Sequence, residues 1–204
     1  MGKELNGNFL SRSRLQALKF LRLGQAVLVH PTAVIPDCSR VALGDHCRID
    51  PFTVLSAHGK IEIGSYVHIG SHCSLSGGEA IKIGDFSTLS HNVNLFTSSD
   101  DYSGKSMTNP TVPDSFKTVC TRPIHLGRHV IVGAGSIIMP GIEVPEGCAI
   151  GALSFVNKPL EAWGVYAGVP VRRISERCKD LLLLEQKLIR ARRNTAGHVG
   201  AEES

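Results

Sequence analysis

The chain has 204 residues, which fits one domain with appendages and is long enough to bury a full core without disulfide staples. Only 5% of the residues are aromatic and 21 are glycine, a composition that favours a narrow, layered β core over a helical bundle. The net charge of +4 does not by itself indicate nucleic-acid binding, so no nucleic-acid partner is expected. The six cysteines form no CxxC pair and no uninterrupted apolar signal region opens the chain, so we expect reduced thiols in a cytoplasmic protein.

The first predicted element is a short basic helix over residues 8–23, with the sequence NFLSRSRLQALKFLRL. We expect Asn8 or Ser11 to cap it, and we expect residues 1–25 to form a helical cap on the open end of the next domain. Charged and polar residues interrupt its apolar stretch, so it does not predict a membrane span. A weak association of its basic residues with an anionic membrane surface is the alternative if the acceptor is lipid-linked.

A repeat of six residues organises the region from 26 to 170. Apolar residues recur at every sixth position in groups of three, and three groups open with Leu-Gly-Asp, Ile-Gly-Ser or Ile-Gly-Asp. The repeated positions are Val29, Ile35, Val41, Leu43, Ile49, Leu55, Ile63, Ile69, Leu75, Ile83, Leu89, Leu95, Leu126, Val132, Ile138, Val144, Ile150 and Val156. A period of six fits neither an α-helix nor a long alternating strand, and it indicates a short strand and a turn, three times per revolution. The sequence therefore predicts an all-β solenoid with the repeated apolar side chains inside and polar corners facing water.

The repeat and three later segments resemble the hexapeptide-repeat acyltransferases. The segments are GAGSIIMPG at 133–141, GALSFVNKP at 151–159 and YAGVPVRRI at 166–174. The resemblance covers about residues 27–175 and implies a left-handed parallel β-helix, usually a homotrimer with active sites between subunits. The left hand is implied by the resemblance alone, since the general rule for crossover connections favours the right hand.

The repeat stops between residues 97 and 123, which predicts a loop ejected from the coil. In the galactoside, maltose and xenobiotic acetyltransferases of this family, such a loop begins with a His that serves as general base. This chain has Asp100 at that position, and Gly70 stands where many of those enzymes use Asn. An unperturbed Asp, with a pKa near 3.9 against about 6.5 for His, is the poorer base for a sugar hydroxyl.

His91, in the segment LSHN, occupies the coil position of the catalytic His in the bacterial sugar N-acetyltransferases that this chain resembles. Our hypothesis is that His91 takes the acceptor proton while Asp100 or Asp101, from this loop or from its copy on the next subunit, orients the imidazole. His68 and His72 are competing candidates for the base, and a corner His that only hydrogen-bonds within its turn is the structural alternative. The predicted acceptor contacts are His72, Ser99 and Tyr102.

The resemblance also implies a binding site for acetyl-CoA, the expected acyl donor. Ala134 and Ala152 would leave space for the pantetheine arm along the coil. Lys158 and Arg172, with Arg173 as a further candidate, would meet the phosphates at the nucleotide end of the donor, and Asn157, where the family usually has Thr, is also expected in the donor site. The alternative is that the small residues only permit tight turns and that the basic residues are solvated. No metal is expected, because the acceptor attacks the thioester directly.

The C-terminal region, 171–204, is predicted to form a helix over 171–193 and a polar tail after Asn194. The apolar face of this helix is expected to pack against the coil or against a partner subunit.

The predicted function is acetyl transfer from acetyl-CoA to a sugar hydroxyl in bacterial surface-polysaccharide (O-antigen or capsule) biosynthesis. The alternatives are an N-acetyltransferase acting on a nucleotide-linked aminosugar, which the His91 motif supports, and a non-catalytic solenoid. A third is a γ-type carbonic anhydrase with three His ligands on zinc, whose spacing is absent here.

Overall fold

A computed structural model describes residues 9–199 of the chain. The helices are α1 (Arg12–Ala17) and α2 (Leu181–Val199), with short 3-10 turns at Cys38–Arg40 and Asp114–Phe116. The strands are β1 (Arg22–Leu23), β2 (Leu28–Val29), β3 (Val41–Leu43), β4 (Arg48–Ile49), β5 (Val54–Ala57), β6 (Ile61–Ile63), β7 (His68–Ile69), β8 (Ser74–Gly77), β9 (Ile81–Ile83), β10 (Thr88–Leu89), β11 (Asn94–Phe96), β12 (Ser98–Asp100), β13 (Val119–Thr121), β14 (Ile124–Leu126), β15 (Ile131–Val132), β16 (Ile137–Ile138), β17 (Glu143–Val144), β18 (Ala149–Ile150), β19 (Phe155–Val156), β20 (Gly164–Ala167) and β21 (Arg172–Glu176).

The strands form three parallel sheets that are the three faces of a solenoid. Face 1 contains β1, β3, β6, β9, β14 and β17; face 2 contains β2, β4, β7, β10, β15, β18, β20 and β21; face 3 contains β5, β8, β11, β16 and β19. Within these faces only β20 and β21 pair in the antiparallel sense. Repeat positions lie in register from coil to coil, for example Leu89 beside both Ile69 and Val132. The predicted parallel β-solenoid is therefore confirmed.

The core consists of the repeated apolar residues. All of those between Leu43 and Val156 are at most 3% exposed, whereas Ile35, near the open end, is only partly buried. Burying one such side chain stabilises the fold by about 1.5–3 kcal/mol. Because a strand of two to four residues makes few backbone contacts of its own, this stack of side chains supplies most of the stability.

Glycine after the repeat position lets successive coils touch at one corner. A Cβ atom on Gly44 would lie 2.5 Å from the carbonyl carbon of Gly64, a backbone atom that has no room to move. The next residue satisfies a backbone donor of the neighbouring coil, as when Asp85 Oδ1 accepts a hydrogen bond from the Ser65 amide at 2.7 Å. These two contacts explain the recurring Leu-Gly-Asp, Ile-Gly-Ser and Ile-Gly-Asp segments.

The corner between faces 1 and 2 is a stack of rings rather than the polar edge that the sequence predicts. Its four residues are His46, Tyr66, Phe86 and His129. Neighbouring ring centroids lie 4.8–5.1 Å apart, and all four residues have φ between +57° and +59°. Each such ring pair is worth about 0.5–1.5 kcal/mol, which offsets part of the cost of the left-handed backbone.

Helix α2 folds back along this ring stack. Glu185 accepts hydrogen bonds from Arg128 and from His129 Nε2, the latter at 2.7 Å, and Arg192 lies over the Tyr66 ring at 4.9 Å. Glu185 and Arg192 are seven residues apart, which is about 10.5 Å of helix rise and close to two coil spacings of about 4.8 Å. The distance between Glu185 and Arg192 along the helix therefore matches the distance between the rings that they contact. These contacts are made by polar side chains of the helix.

The helix bounds differ from those predicted by the sequence. Helix α1 is capped by Ser11, whose Oγ accepts from the Arg14 amide, but it covers only Arg12–Ala17 of the predicted range 8–23. Lys19 then adopts φ +52° and the chain joins face 1. Pairing with strand β3 satisfies the backbone groups of Arg22–Leu23, and this outweighs local helix propensity.

The prediction of a helix over 171–193 is wrong in its first part. Arg172–Glu176 forms strand β21 against β20, and the helix begins at Leu181 and continues to Val199, past the predicted start of a polar tail. Much of the apolar surface of α2 stays open in the single subunit, since Leu183 and Leu184 are 60% and 63% exposed, whereas Leu181 and Leu182 are half-buried. Residues 1–8 of the predicted cap and 200–204 of the predicted tail lie outside the described residues. Within residues 9–199, no helix combines the length and the apolar character needed to cross a bilayer.

Candidate active site

The segment ejected from the coil is an arm built on two antiparallel strands, β12 and β13, with Ser99 opposite Cys120. Thr97, the first residue of the predicted loop, is still buried in the coil, where its Oγ accepts a hydrogen bond from the Glu79 amide at 3.1 Å. The arm therefore begins at Ser98, and the coil resumes with β14. This confirms the predicted break in the repeat. It also shows that hydrogen bonds hold the arm in place where it leaves the coil.

A cavity of about 550 Å³ lies between the arm and face 3. Its lining consists of Phe96, Ile137, Met139 and Phe155 from face 3, and of Ser98, Ser99, Asp100 and Tyr102 from the arm. A cavity of this volume with an apolar floor and a polar wall is typical of a site that binds a small molecule. The cavity brings together three of the residues predicted to form the site, namely Ser99, Asp100 and Tyr102.

Sequence reasoning missed the apolar floor of this cavity. Ile137 and Phe155 each precede a buried repeat residue, so strand alternation points them outward. The repeat itself carries the signal that could have found this floor, since large apolar residues at outward-facing positions of a solenoid indicate a surface that binds a ligand.

Asp101 is occupied within the arm. Its carboxylate accepts hydrogen bonds from the amides of Ser103, Lys105 and Ser106 and from the Ser106 hydroxyl, at 2.8–3.1 Å. These bonds, from Ser103 first and then Ser106, lower the pKa of Asp101 to about 2. Within the described part of the subunit, neither Asp100 nor Asp101 is hydrogen-bonded to His91. The predicted His–Asp pair therefore stays a prediction.

His91 lies at the exposed corner between faces 2 and 3, directly after Ser90. Its carbonyl accepts the Gly135 amide at 3.0 Å, and its ring has no hydrogen-bond partner among residues 9–199. His72 lies at the same corner, one coil earlier, and stacks on Phe52 at 5.0 Å. His72 thus packs on the solenoid instead of lining the cavity.

The residues predicted to bind the donor lie on the last coils. Ala134 and Ala152 are stacked, and the Ala134 carbonyl accepts the Leu153 amide at 2.8 Å. Asn157, Lys158 and Arg172 are exposed. Arg173 instead pairs with Glu176 and lies 3.9 Å from Glu161, so its charge is already partly compensated. Among residues 9–199 no cluster of three or more His, Cys, Asp or Glu side chains could hold a metal ion.

Comparisons with known proteins define the family. No family model matches the sequence. The dTDP-4-amino-4,6-dideoxy-D-glucose acyltransferase of Escherichia coli is 38% identical over 178 residues, which span 87% of this chain and 93% of that protein. The chain belongs to the hexapeptide-repeat acyltransferases. The galactoside O-acetyltransferase of Escherichia coli is 35% identical, but over only 69 residues, which span 32% of this chain and 34% of that protein.

Solved structures of acyltransferases share the fold. AntD, an N-acyltransferase from Bacillus cereus in complex with dTDP and 3-hydroxybutyryl-CoA, has a TM-score of 0.88 and 38% identity, covering 91% of this chain and 98% of that chain. A maltose O-acetyltransferase from Clostridium difficile has a TM-score of 0.56 and 22% identity, covering 85% of this chain and 81% of that chain, and shows likeness of fold alone. The fold is the left-handed β-helix that the resemblance implies, and the chain is an acyltransferase.

Proposed function

We propose that this acyltransferase moves an acyl group from acyl-CoA to the amino group of a dTDP-linked 4-amino-4,6-dideoxyglucose or a closely related nucleotide-linked aminosugar. The relatives that match nearly the whole chain carry the names of such enzymes, whereas the galactoside O-acetyltransferase matches a third of it. This support favours the alternative in the sequence analysis over the hydroxyl acceptor predicted first. The observation that carries the proposal is Asp100, in place of the expected His, on the wall of the cavity.

The chemistry of an amine explains why an aspartate is enough. A hydroxyl must lose its proton as it attacks, so it needs a base with a pKa near neutrality. A neutral amine attacks with its own lone pair, and only then does the nitrogen become strongly acidic. A carboxylate, although a weaker base than an imidazole, can accept that proton. The nitrogen–carbon bond forms, the carbon–sulfur bond breaks, and the proton passes through Asp100 to the departing thiolate.

Ser90 is the proposed partner of Asp100. The AntD structures include variants in which an aspartate, or a serine ten positions earlier, has been replaced, in complexes with coenzyme A and dTDP or dTDP-4-amino-4,6-dideoxyglucose. Ser90 and Asp100 are the only Ser and Asp at that spacing in this sequence. We assign proton acceptance to Asp100 and orientation of the amine to Ser90. His91 remains the alternative base, and Asp101 is assigned to ordering the arm.

The donor is proposed to lie along the coils that carry Ala134 and Ala152, with Asn157, Lys158 and Arg172 near its phosphates. Small side chains admit the pantetheine arm, and uncompensated cations attract the phosphate charge. Arg173, paired with glutamates, would contribute less. We also propose a homotrimer with the arm reaching a neighbouring subunit. The reducing cytoplasm is the proposed compartment, in agreement with six free cysteines.

The test is an acceptor comparison with the purified full chain. Acetyl-CoA and 3-hydroxybutyryl-CoA are each mixed with dTDP-4-amino-4,6-dideoxyglucose, and thiol release is followed together with the mass of the sugar product. Galactosides and dTDP-glucose, which offer only hydroxyls, are the matched controls. We expect turnover with the aminosugar alone. Turnover of the hydroxyl acceptors without turnover of the aminosugar would overturn the proposal.

A further inference from the structure

A buried carboxylate on face 2 holds two nitrogen-bearing side chains that the proposed reaction does not use. Asp50, whose side chain is 6% exposed, accepts hydrogen bonds from Arg48 Nε at 2.6 Å and from His68 Nε2 at 2.8 Å. Burial alone would raise the pKa of Asp50, but the hydrogen bonds from His68 and Arg48 outweigh it and lower the pKa. Asp50 is therefore a fixed anion beneath two outward-facing groups.

The outer ends of Arg48 and His68 are available to a ligand. Their side chains are 52% and 39% exposed, and Asp50 takes only Nε of Arg48 and only Nε2 of His68. The Phe9 ring supports the guanidinium at 5.2 Å. In the described part of the chain, no other hydrogen bond or ion pair engages the terminal nitrogens of Arg48 or Nδ1 of His68. Asp50 therefore fixes the Arg48 guanidinium through Nε and leaves its two terminal nitrogens able to donate hydrogen bonds. Such a guanidinium is suited to binding phosphate oxygens.

The register of face 2 relates this cluster to the proposed reaction site. Arg48, His68 and Thr88 are direct neighbours on β4, β7 and β10, and Ser90 follows Thr88 by two residues. A strand spacing of about 4.8 Å and a rise of about 3.3 Å per residue place Ser90 about 8 Å from His68 and about 12 Å from Arg48, Cα to Cα. One hexose ring spans such a gap between an amine at one end and a diphosphate at the other.

We propose that Arg48 and His68 bind the diphosphate of the nucleotide-linked acceptor, with Asp50 as the residue that positions both. The inference rests on the proposed function, because the acceptor must carry a nucleoside diphosphate. Thr88, between the cluster and Ser90, provides a hydroxyl along the same path. The acyl-CoA donor also carries phosphates. The test therefore distinguishes binding of the acceptor diphosphate from binding of the donor phosphates.

The experiment measures binding of dTDP and of coenzyme A, separately, by calorimetry to the wild-type chain and to Arg48→Gln. The matched control is Arg22→Gln, which removes an exposed arginine from β1 on face 1. We expect Arg48→Gln to weaken dTDP binding by about 10- to 100-fold, the loss typical of hydrogen bonds to charged groups, and to leave coenzyme A binding unchanged. In turnover, the KM for the aminosugar nucleotide should rise while kcat stays within about twofold. Arg22→Gln should match the wild type throughout.

Two further variants keep the test decisive if Arg48→Gln folds poorly. His68→Asn keeps Asp50 and Arg48 and should weaken dTDP binding, and Asp50→Asn should do the same although it removes a negative charge. Unchanged dTDP affinity in folded Arg48→Gln or His68→Asn, with a wild type that binds dTDP, would overturn the inference and leave the proposed function intact. Weakened coenzyme A binding with intact dTDP binding would also overturn it. A wild type that neither binds dTDP nor acylates the aminosugar would instead overturn the proposed function.

Discussion

Asp100 is the residue at which this chain departs from the acetyltransferases whose loop begins with a His, and the proposed amine acceptor supplies a chemical reason for the departure. An oxygen nucleophile needs a base of near-neutral pKa, whereas an amine loses its proton only after attack. The carboxylate lies on the cavity wall beside Ser99 and Tyr102, on an ordered arm. On the proposed function, the identity of the base is therefore linked to the identity of the acceptor.

Replacing Asp100 with Asn keeps the size of the side chain and removes the proton acceptor. We expect kcat with the aminosugar nucleotide to fall by about 10²- to 10⁴-fold, the usual contribution of a general base. His91→Ala should lower kcat by less than about tenfold, because its ring has no hydrogen-bond partner in the described part of the subunit. Steady-state kinetics on both variants is the measurement. A large loss in His91→Ala with activity retained in Asp100→Asn would assign the base to His91.

Asp101 is expected to order the arm, not to transfer protons. Because its pKa is about 2 in the folded arm against an ordinary 3.8, its stabilising effect is present above about pH 4 and is lost as pH falls toward 2. In Asp101→Ala, the amides of Ser103, Lys105 and Ser106 should exchange with solvent faster at neutral pH, as they should in the wild type near pH 2 after correction for intrinsic rates. Hydrogen-exchange mass spectrometry tests this, and unchanged protection of this segment in the variant would contradict it.

At the scale of the element, each strand is too short to be stable alone and depends on the coil above and below. Leu89 on β10 is fully buried between Ile69 and Val132. Leu28, on β2 of the same face, points outward and is 42% exposed. The two leucines lie in the same sheet, but one side chain points into the core and the other points outward. Leu28 is therefore a suitable control for substitutions at Leu89.

Leu89→Ala should lower the free energy of unfolding by about 2–5 kcal/mol, the usual cost of a cavity in a packed core. Leu28→Ala should cost well under that, about 0.5 kcal/mol, because its side chain leaves no internal cavity. Urea unfolding followed by circular dichroism gives both values. Equal losses would mean that the inward stack does not supply most of the stability.

The two helices show how an element depends on its surroundings. Helix α1 is short because the chain after Ala17 finds hydrogen-bond partners on face 1. Helix α2 is placed by Glu185 and Arg192 at the ring-stacked corner, and Leu183 and Leu184 remain exposed in the single subunit. Neither outcome follows from helix propensity, which is a weak preference beside tertiary contacts.

For the molecule as a whole, the reactivity of the cysteines measures how well the interior of the solenoid is shielded from solvent. Cys47, Cys73 and Cys148 are buried in the coil, and burial raises the pKa of Cys47 and Cys73 to about 11. Cys120 on the arm and Cys178 before α2 are exposed. A thiol reacts only when the reagent can reach it and when it is deprotonated to the thiolate. The exposed cysteines should therefore react much faster than the buried ones.

A chromogenic disulfide reagent at neutral pH should therefore modify Cys120 and Cys178 rapidly in the native protein. Cys38, which is partly buried and has a raised pKa, should react more slowly, and all six thiols should react once the chain is unfolded in guanidinium. Peptide mapping identifies the modified residues. Rapid native labelling of Cys47 or Cys73 would contradict a closed, stable coil.

The repeat of six by itself determined the solenoid, its inward residues and the position of the arm, because a periodic core is written into local spacing and every coil repeats the same contacts. The segments that resemble known acyltransferases determined the reaction class, since they are recognisable as local sequence: two lie within the periodic part, and the third, at 166–174, follows it. Only the tertiary structure decided where the helices end, that four rings stack at one corner, and that Asp50 joins Arg48 to His68. These features depend on which side chains meet across coils and how deeply they are buried. Local spacing carries no such information, because pairing and burial are set by contacts between residues far apart in the chain.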